Sequence, residues 1–207
     1  MNYPNEMHLF LLQNPNLIEA GSLTDAVEVT IFTAIHERLA KKFERLLWEV
    51  RCDAFSDSED SCEETMFAPM HWPKAKDKSR QAYYRLGTFG AGNVYWLSSL
   101  LGLNETHMCF ELCIDGRLGG PKVNVKKRVQ SFYTETPALM ELGFVCLDGK
   151  LCLPFTLDAV KLAAEYPDLR KSMLAFEAFF DRLMKGHEHI DKLVLGMMPP
   201  QAAKVAE

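Results

Sequence analysis

Between residues 25 and 50, hydrophobic side chains recur every three or four positions, which is the spacing of an amphipathic helix. Asp25, followed three residues later by Glu28, resembles a capping box at the start of such a helix. The positions between the apolar ones carry charges of both signs, as a solvated helix face does. The pattern therefore predicts one long helix over 25–50. Its apolar stripe consists of Val27, Ile31, Ile35, Leu39, Phe43, Leu46 and Val50.

Residues 106–115 follow a different pattern, because apolar and polar side chains alternate there without a break. Successive side chains of a strand point to opposite faces, so this stretch predicts a β-strand with one core face. The core face carries Met108, Phe110, Leu112 and Ile114. The second face carries only residue types that bind metals or transfer protons: His107, Cys109, Glu111, Cys113 and Asp115. We expect this strand to lie in the centre of a sheet.

Shorter β patterns precede this strand. Residues 66–71, 83–88 and 93–101 are rich in strand-forming side chains and are bounded by glycine, proline or asparagine. Asn104 and Glu105 separate the last of these runs from the central strand. The sequence therefore predicts a hairpin over 94–115.

A second hairpin is predicted over 144–155, because its Asp148-Gly149 dipeptide favours the two-residue turns of hairpins. Cys146 and Cys152 flank this turn. A two-residue turn would offset the two cysteines and place them on opposite faces, whereas a three-residue turn would set them opposite each other. The sequence leaves this open.

The rest of the chain has helical spacing. Residues 123–142 predict a helix that ends near Thr136, ahead of Pro137, and residues 158–166 predict another short helix. A third helix follows and is predicted to end at Gly186. Its apolar stripe consists of Leu169, Met173, Phe176, Phe180 and Leu183.

A run of helix followed by a run of strands favours an α+β fold over alternating α/β. We expect a mostly antiparallel sheet of four to six strands, packed by the long N-terminal helix and a C-terminal helical pair. The predicted organisation is an irregular arm over 1–24, a single α+β domain over 25–186 and a loosely ordered tail over 187–207.

Composition indicates the cellular location expected for this protein. Of the 207 residues, 48% are hydrophobic, and the net charge is −5. No apolar run is long enough for a membrane span or a signal sequence, so we expect a cytoplasmic protein with no membrane partner and with reduced cysteines. The spacings of the six cysteines match no zinc-finger pattern.

Charge is distributed unevenly along the chain. Residues 1–73 hold five basic and thirteen acidic side chains, a net charge of −8, whereas residues 74–128 hold ten basic and four acidic, a net charge of +6. A basic region of this kind attracts anionic partners. Its cations would bind phosphate or carboxylate groups, and its tyrosines could stack on exposed bases. The predicted contact residues are Lys74, Lys76, Lys78, Arg80, Tyr83, Tyr84, Arg85, Lys122, Lys126, Lys127 and Arg128.

The first functional hypothesis is therefore a cytoplasmic, non-enzymatic adaptor, inhibitor or regulator without a cofactor. It would dock a protein or nucleoprotein partner through the basic 74–128 region, with nucleic acid as one such partner. The chain contains no Glu-x-Lys, Gly-x-Ser-x-Gly or His-Glu-x-x-His motif, which favours binding over catalysis.

Two alternatives remain at this stage. A metal-dependent hydrolase or nuclease would use His107, Glu111 and Asp115, helped by the six carboxylates of residues 53–64. That acidic segment lacks the EF-hand pattern, so a solvated surface loop is the simpler interpretation. Self-association as a homodimer is the other alternative. It would use the C-terminal stripe with Phe176, Phe179 and Phe180.

Overall fold

The structure, a computed structural model, describes Gly21 and residues 24–44, 46–52, 65–75, 80–90, 95–118 and 124–198. It confirms the predicted α+β class. The predicted N-terminal arm up to residue 20, the capping side chain of Asp25 and the acidic segment 53–64 lie outside the described residues. In chain order the elements are α1 Thr24–Phe43, β1 Trp48–Cys52, β2 Thr65–Pro69, β3 Ala82–Phe89, α2 Trp96–Leu100, β4 His107–Ile114, α3 Val125–Glu135, α4 Pro137–Glu141, β5 Val145–Leu147, β6 Lys150–Phe155, α5 Ala159–Glu165 and α6 Ser172–Met197.

The strands form one antiparallel six-stranded sheet in the order β1-β2-β3-β4-β6-β5. Strand β4 lies between β3 and β6, which confirms its predicted central position. The register places Leu86, Phe110 and Leu153 side by side, so three neighbouring strands present apolar side chains in one row. All three side chains are buried. This core face of the sheet carries the helices.

Helix α6 crosses the middle of the core face. Its Phe176 and Phe180 rings lie 5.8 Å and 6.3 Å from the ring of Phe110. Helix α1 lies on one side of α6, where Phe43 contacts Phe67 of β2 at 5.0 Å between ring centroids. Helix α3 lies on the other side. Each helix buries its apolar face against the sheet, which provides most of the stability of such amphipathic helices.

The predicted helix over 25–50 is too long, because α1 ends at Phe43 and residues 48–52 form β1. Leu46 and Val50 continue the helical spacing, but Trp48-Glu-Val-Arg-Cys52 also alternates with a period of two. Tertiary contacts decide between the two patterns. Trp48 stacks on Tyr84 of β3, with 5.8 Å between ring centroids and an 11° angle between their planes.

The predicted strand over 93–101, and with it the hairpin over 94–115, is wrong. Residues 96–100 form the short helix α2, followed by a 3₁₀ turn over Leu103–Glu105. Trp96 and Leu100 lie four positions apart and so share one helical face. Leu100 is buried, and the Trp96 ring lies 5.8 Å from Phe32 of α1.

Gly186 does not end the last helix, because α6 continues to Met197. The predicted tail therefore begins later than residue 187, and residues 199–207 lie outside the described residues. The helix needs a glycine at position 186 because a Cβ atom there would stand 2.5 Å from Cζ of Phe144. The signal used to predict a helix end was instead a signal of close packing. Ile190, Leu193, Val194 and Met197 are all buried.

Other predictions are confirmed. Helix α3 ends at Glu135, and Pro137 begins α4. Residues 145–155 form the predicted hairpin, and Asp148 and Gly149 have φ values of 52° and 74°, the left-handed conformation that its tight turn requires. The two-residue turn offsets Cys146 from Cys152 by one position and places them on opposite faces of the sheet. None of the helices in the described ranges is both long and apolar enough to cross a membrane.

Candidate functional site

The helices that the structure describes all pack on the core face, so the candidate site is the opposite face of the same sheet. We call it the open sheet face because no described helix lies on it, although its members Ala68, Cys109 and Cys152 are themselves buried. Strand alternation and register define its members. They are Glu49, Met66, Ala68, Tyr83, Arg85, Gly87, Phe89, His107, Cys109, Glu111, Cys113, Val145, Leu147, Lys150, Cys152 and Pro154.

An ion-pair cluster occupies the centre of the open sheet face. Arg85 on β3 is the direct neighbour of Glu111 on β4, and its Nη2 donates to Glu111 Oε2 at 2.7 Å. Lys150 Nζ on β6 lies 3.9 Å from the other carboxylate oxygen. The Glu111 side chain is mostly buried, so its charge must be compensated there by these two cations.

A second charged cluster lies at the β1 edge of the open sheet face. Glu49 accepts hydrogen bonds from Arg80 Nε at 3.0 Å and pairs with Lys74 Nζ at 2.9 Å. Hydrogen bonds from Lys74 and Arg80 lower the pKa of Glu49 to about 2, so the carboxylate is charged at any physiological pH. Arg80 also donates to the backbone oxygen of Trp72 at 2.8 Å, which fastens the segment between β2 and β3 to β1.

These two clusters leave an excess of positive charge on the face. Lys74, Arg80, Arg85 and Lys150 provide four cations against the two carboxylates of Glu49 and Glu111, a net charge of +2 among the described side chains. Asp115, at the end of β4, is neutralised by Arg117 at 2.8 Å. The whole chain has a net charge of −5, so the open sheet face differs in sign from the protein as a whole.

The thiols of the open sheet face are structural. Cys109 and Cys152 are buried and hydrogen-bond to each other, and this contact together with burial raises the pKa of Cys109 far above its usual range. Burial also raises the pKa of Cys113 to about 11. A nucleophilic or metal-binding cysteine needs its thiolate form, which these environments disfavour. The four cysteines whose side chains are described are all free thiols.

The residues of the metal hypothesis are not brought together. His107, Glu111 and Asp115 follow one another at four-residue intervals along β4, so successive Cα atoms are about 13 Å apart. The carboxylates of Glu111 and Asp115 are already paired with arginines. Among the described residues, no group of three or more His, Cys, Asp or Glu side chains could hold a metal ion.

The predicted basic surface is divided between two places. Arg85 belongs to the open sheet face, and Lys74 and Arg80 reach its edge through their ion pairs with Glu49. Helix α3 instead carries the exposed side chains of Lys126, Lys127 and Arg128. Arg128 donates to the backbone oxygen of Gly196 at 2.7 Å, so it fastens α3 to α6. The predicted contacts Lys76, Lys78 and Lys122 lie outside the described residues.

Of the tyrosines predicted to stack on bases, Tyr84 lies in the core, next to Trp72. Tyr84 and Trp72 are only 1% and 2% exposed, and both rings belong to the layer between the sheet and α6. Tyr83, whose side chain alternates to the open sheet face, is half-buried. A base cannot stack on a ring that the core already covers on both sides.

The C-terminal phenylalanine stripe is likewise occupied within the chain. Phe176 and Phe180 are buried in the core, and Phe179 packs on Phe155 with 5.4 Å between ring centroids. The guanidinium of Arg182 covers the ring of Phe179 at 4.4 Å. This stripe is therefore not available to a second chain.

No family model, curated protein or solved structure matches this chain. The candidate site therefore depends on its own geometry. Among its charged members, sequence patterns missed Glu49 and Lys150, because only strand register and ion pairs place these two side chains beside the predicted cations and Glu111. Period-two alternation over 48–52 was the signal that could have placed Glu49 on this face.

Proposed function

We propose that this protein is a non-enzymatic, cytoplasmic binding protein, an adaptor, inhibitor or regulator, that docks an acidic segment of a partner protein on the open sheet face. The observation that carries the proposal is the net charge of +2 among the described side chains of a face that no described helix covers, in a chain whose net charge is −5. Complementary charge speeds association and selects partners.

A protein partner is favoured over nucleic acid because apolar side chains lie between the cations. Met66, Tyr83 and Phe89 are half-buried, so they offer apolar area between the charges. Protein interfaces combine apolar area of this kind with a charged rim. Single-stranded nucleic acid needs exposed aromatic rings for stacking, and Trp72 and Tyr84 do not provide them.

The cysteines agree with a cytoplasmic setting. Cys109 and Cys152 contact each other as free thiols, and Cys113 and Cys146 are free as well. Adjacent thiols persist in a reducing compartment and tend to be oxidised outside it.

The proposal predicts that charge reversal on the open sheet face weakens binding of an acidic peptide. Lys74 and Lys150 are suitable positions, since their side chains are 43% and 63% exposed. The probe is a fluorescent peptide in which glutamate alternates with leucine and valine, and binding is measured by fluorescence anisotropy. Lys74→Glu with Lys150→Glu should raise the Kd about tenfold, and added salt should weaken binding to the unaltered protein.

A matched control separates the face from the overall charge. Lys161→Glu with Lys185→Glu makes the same change in net charge on helices α5 and α6, where both lysines are exposed. This pair should leave the Kd within about twofold. Equal weakening by both double variants would contradict the proposal. A single-stranded oligonucleotide is tested in the same way. If it binds more tightly than the peptide, and if Lys74→Glu with Lys150→Glu abolishes this binding while Lys161→Glu with Lys185→Glu does not, the partner is a nucleic acid and not a protein.

A further inference from the structure

His187 of α6 is enclosed by aromatic rings from three strands or their ends. Its imidazole lies 4.7 Å from the ring of Trp48, 5.5 Å from Trp72 and 5.9 Å from Tyr84, measured between centroids. Its Nδ1 also lies 3.0 Å from the hydroxyl of Tyr84. One ionisable side chain therefore fills the space where the second half of α6 meets β1, β2 and β3.

A second contact one helical turn later fastens the same half of α6. Asp191 Oδ1 accepts a hydrogen bond from the indole Nε1 of Trp72 at 2.6 Å, and His71 Nε2 lies 2.7 Å from the same oxygen. Trp72 thus contacts both His187 and Asp191. The two α6 residues and the strand ends form one connected cluster.

The groups that face His187 act in opposite directions on its charge. Burial lowers the pKa of His187 to about 4, while the carboxylates of Asp191 and Glu188 on α6 oppose the shift and His71 adds to it. Tyr84, from β3, is neutral because burial raises its own pKa well above the usual range. Of the two carboxylates, Asp191 has the larger effect on the pKa of His187. Its Oδ1 is already engaged by Trp72 and His71, so desolvation remains the larger effect.

We infer that His187 and Asp191 form an acid-sensitive lock that holds residues 187–197 of α6 against β1, β2 and β3. In the closed state the imidazole is neutral and enclosed by Trp48, Trp72 and Tyr84. In the open state the imidazole is hydrated and takes up a proton at its ordinary pKa. Opening would also expose the rings of Trp48 and Trp72. This lock lies on the core face and does not depend on the proposed binding function.

The sign of the pH dependence follows from the two pKa values. Because the pKa is lower in the closed state, the contribution of His187 to closure is complete above about pH 6.5 and is lost as the pH falls toward about 4. With pKa values of 6.5 in the open state and about 4 in the closed state, acidification from pH 7 to pH 5 would raise the equilibrium constant for opening about 20-fold if solvent did not screen the charge. Allowing for the partial exposure of the imidazole, we expect roughly tenfold.

Amide hydrogen exchange of the intact protein tests the inference. After correction for intrinsic exchange, the protection factors of the amides of residues 187–197 should fall roughly tenfold between pH 7 and pH 5. The protection factors of residues 172–186 in the same helix should change less than about twofold. His187→Gln should remove this pH dependence, and His189→Gln, two positions along the helix, should keep it.

Equal loss of protection in both halves of α6, or pH dependence that persists in His187→Gln, would overturn the inference. If His187→Gln does not fold, an NMR titration of the imidazole in the unaltered protein decides the question. A pKa for His187 well below 6.5 supports the lock. A pKa at or above 6.5 would mean that Asp191 and the surrounding rings favour the imidazolium, and the lock would be refuted.

Discussion

Replacement of Phe110 by alanine is expected to lower the free energy of unfolding by about 3–5 kcal/mol, the range for a large aromatic ring removed from a core. Phe110 lies at the centre of β4 and is 1% exposed. Its ring contacts Phe67 at 5.8 Å and Phe155 at 5.2 Å between centroids, and α6 covers it from above. The cavity left by alanine would border the sheet and α6 at once, so neither could collapse into it without moving the other.

Cys109→Ala is the matched control for Phe110→Ala. Cys109 is the preceding residue and is equally buried at 0% exposure, but it points to the open sheet face. Its replacement removes one sulfur atom and one contact with Cys152, and we expect a cost of about 1 kcal/mol. Urea denaturation of both variants provides the measurement. Equal costs for the two variants would contradict the assignment of the two faces of β4.

Gly186→Ala is expected to destabilise the protein by about 1–2 kcal/mol, although alanine is the better helix former. In a helix interior, alanine is favoured over glycine by about 1 kcal/mol. At position 186 the added Cβ would stand 2.5 Å from Cζ of Phe144 and 3.3 Å from Cδ2 of Leu139. Overpacking of this kind costs about 1–3 kcal/mol, because the ring, and with it the segment before β5, has to move.

Gly196→Ala is the control, since Gly196 lies in the last turn of the same helix. A Cβ atom there would meet Arg128 Nη2 at 3.5 Å, an ordinary contact. We expect this variant to be neutral or more stable by up to about 1 kcal/mol. The pair is compared by thermal unfolding, where each kcal/mol shifts the Tm of a chain of this size by about 2–4 °C. Stabilisation by both substitutions would show that Phe144 does not lie against Gly186.

Local pattern predicted the elements whose periodicity was unambiguous. The alternation of residues 107–114 identified β4, and Asp148-Gly149 identified the hairpin of β5 and β6, while the length of its turn was left open. Pro137 marked the boundary between α3 and α4 because proline cannot continue a helix hydrogen-bond pattern. In each case the deciding signal lies within the element itself.

Elements with two compatible patterns were decided by contacts that are distant in sequence. Leu46 and Val50 fit a helix, but the stacking of Trp48 on Tyr84 makes residues 48–52 a strand. Gly186 was interpreted as a helix end, whereas its role is set by Phe144, more than forty residues earlier in the chain. Local propensity is weak enough for tertiary contacts of this kind to override it.

The candidate site was predicted only in part for the same reason. Arg85 and Glu111 were both singled out in the sequence, but their pairing follows from the register of β3 and β4. Lys150 enters the cluster because β6 pairs with β4, although α3, α4 and β5 lie between them in the sequence. Charge counts predicted a basic region, and only the strand register shows which of its cations share a face.

Lysine footprinting is the most direct test of whether the open sheet face is the binding surface. The protein is briefly acetylated with and without the glutamate-rich peptide, and modification of each lysine is measured by mass spectrometry. We predict that the peptide protects Lys74 and Lys150, while Lys161, which is 72% exposed on α5, is modified equally in both samples. Protection of Lys161 with continued modification of Lys74 and Lys150 would contradict the account.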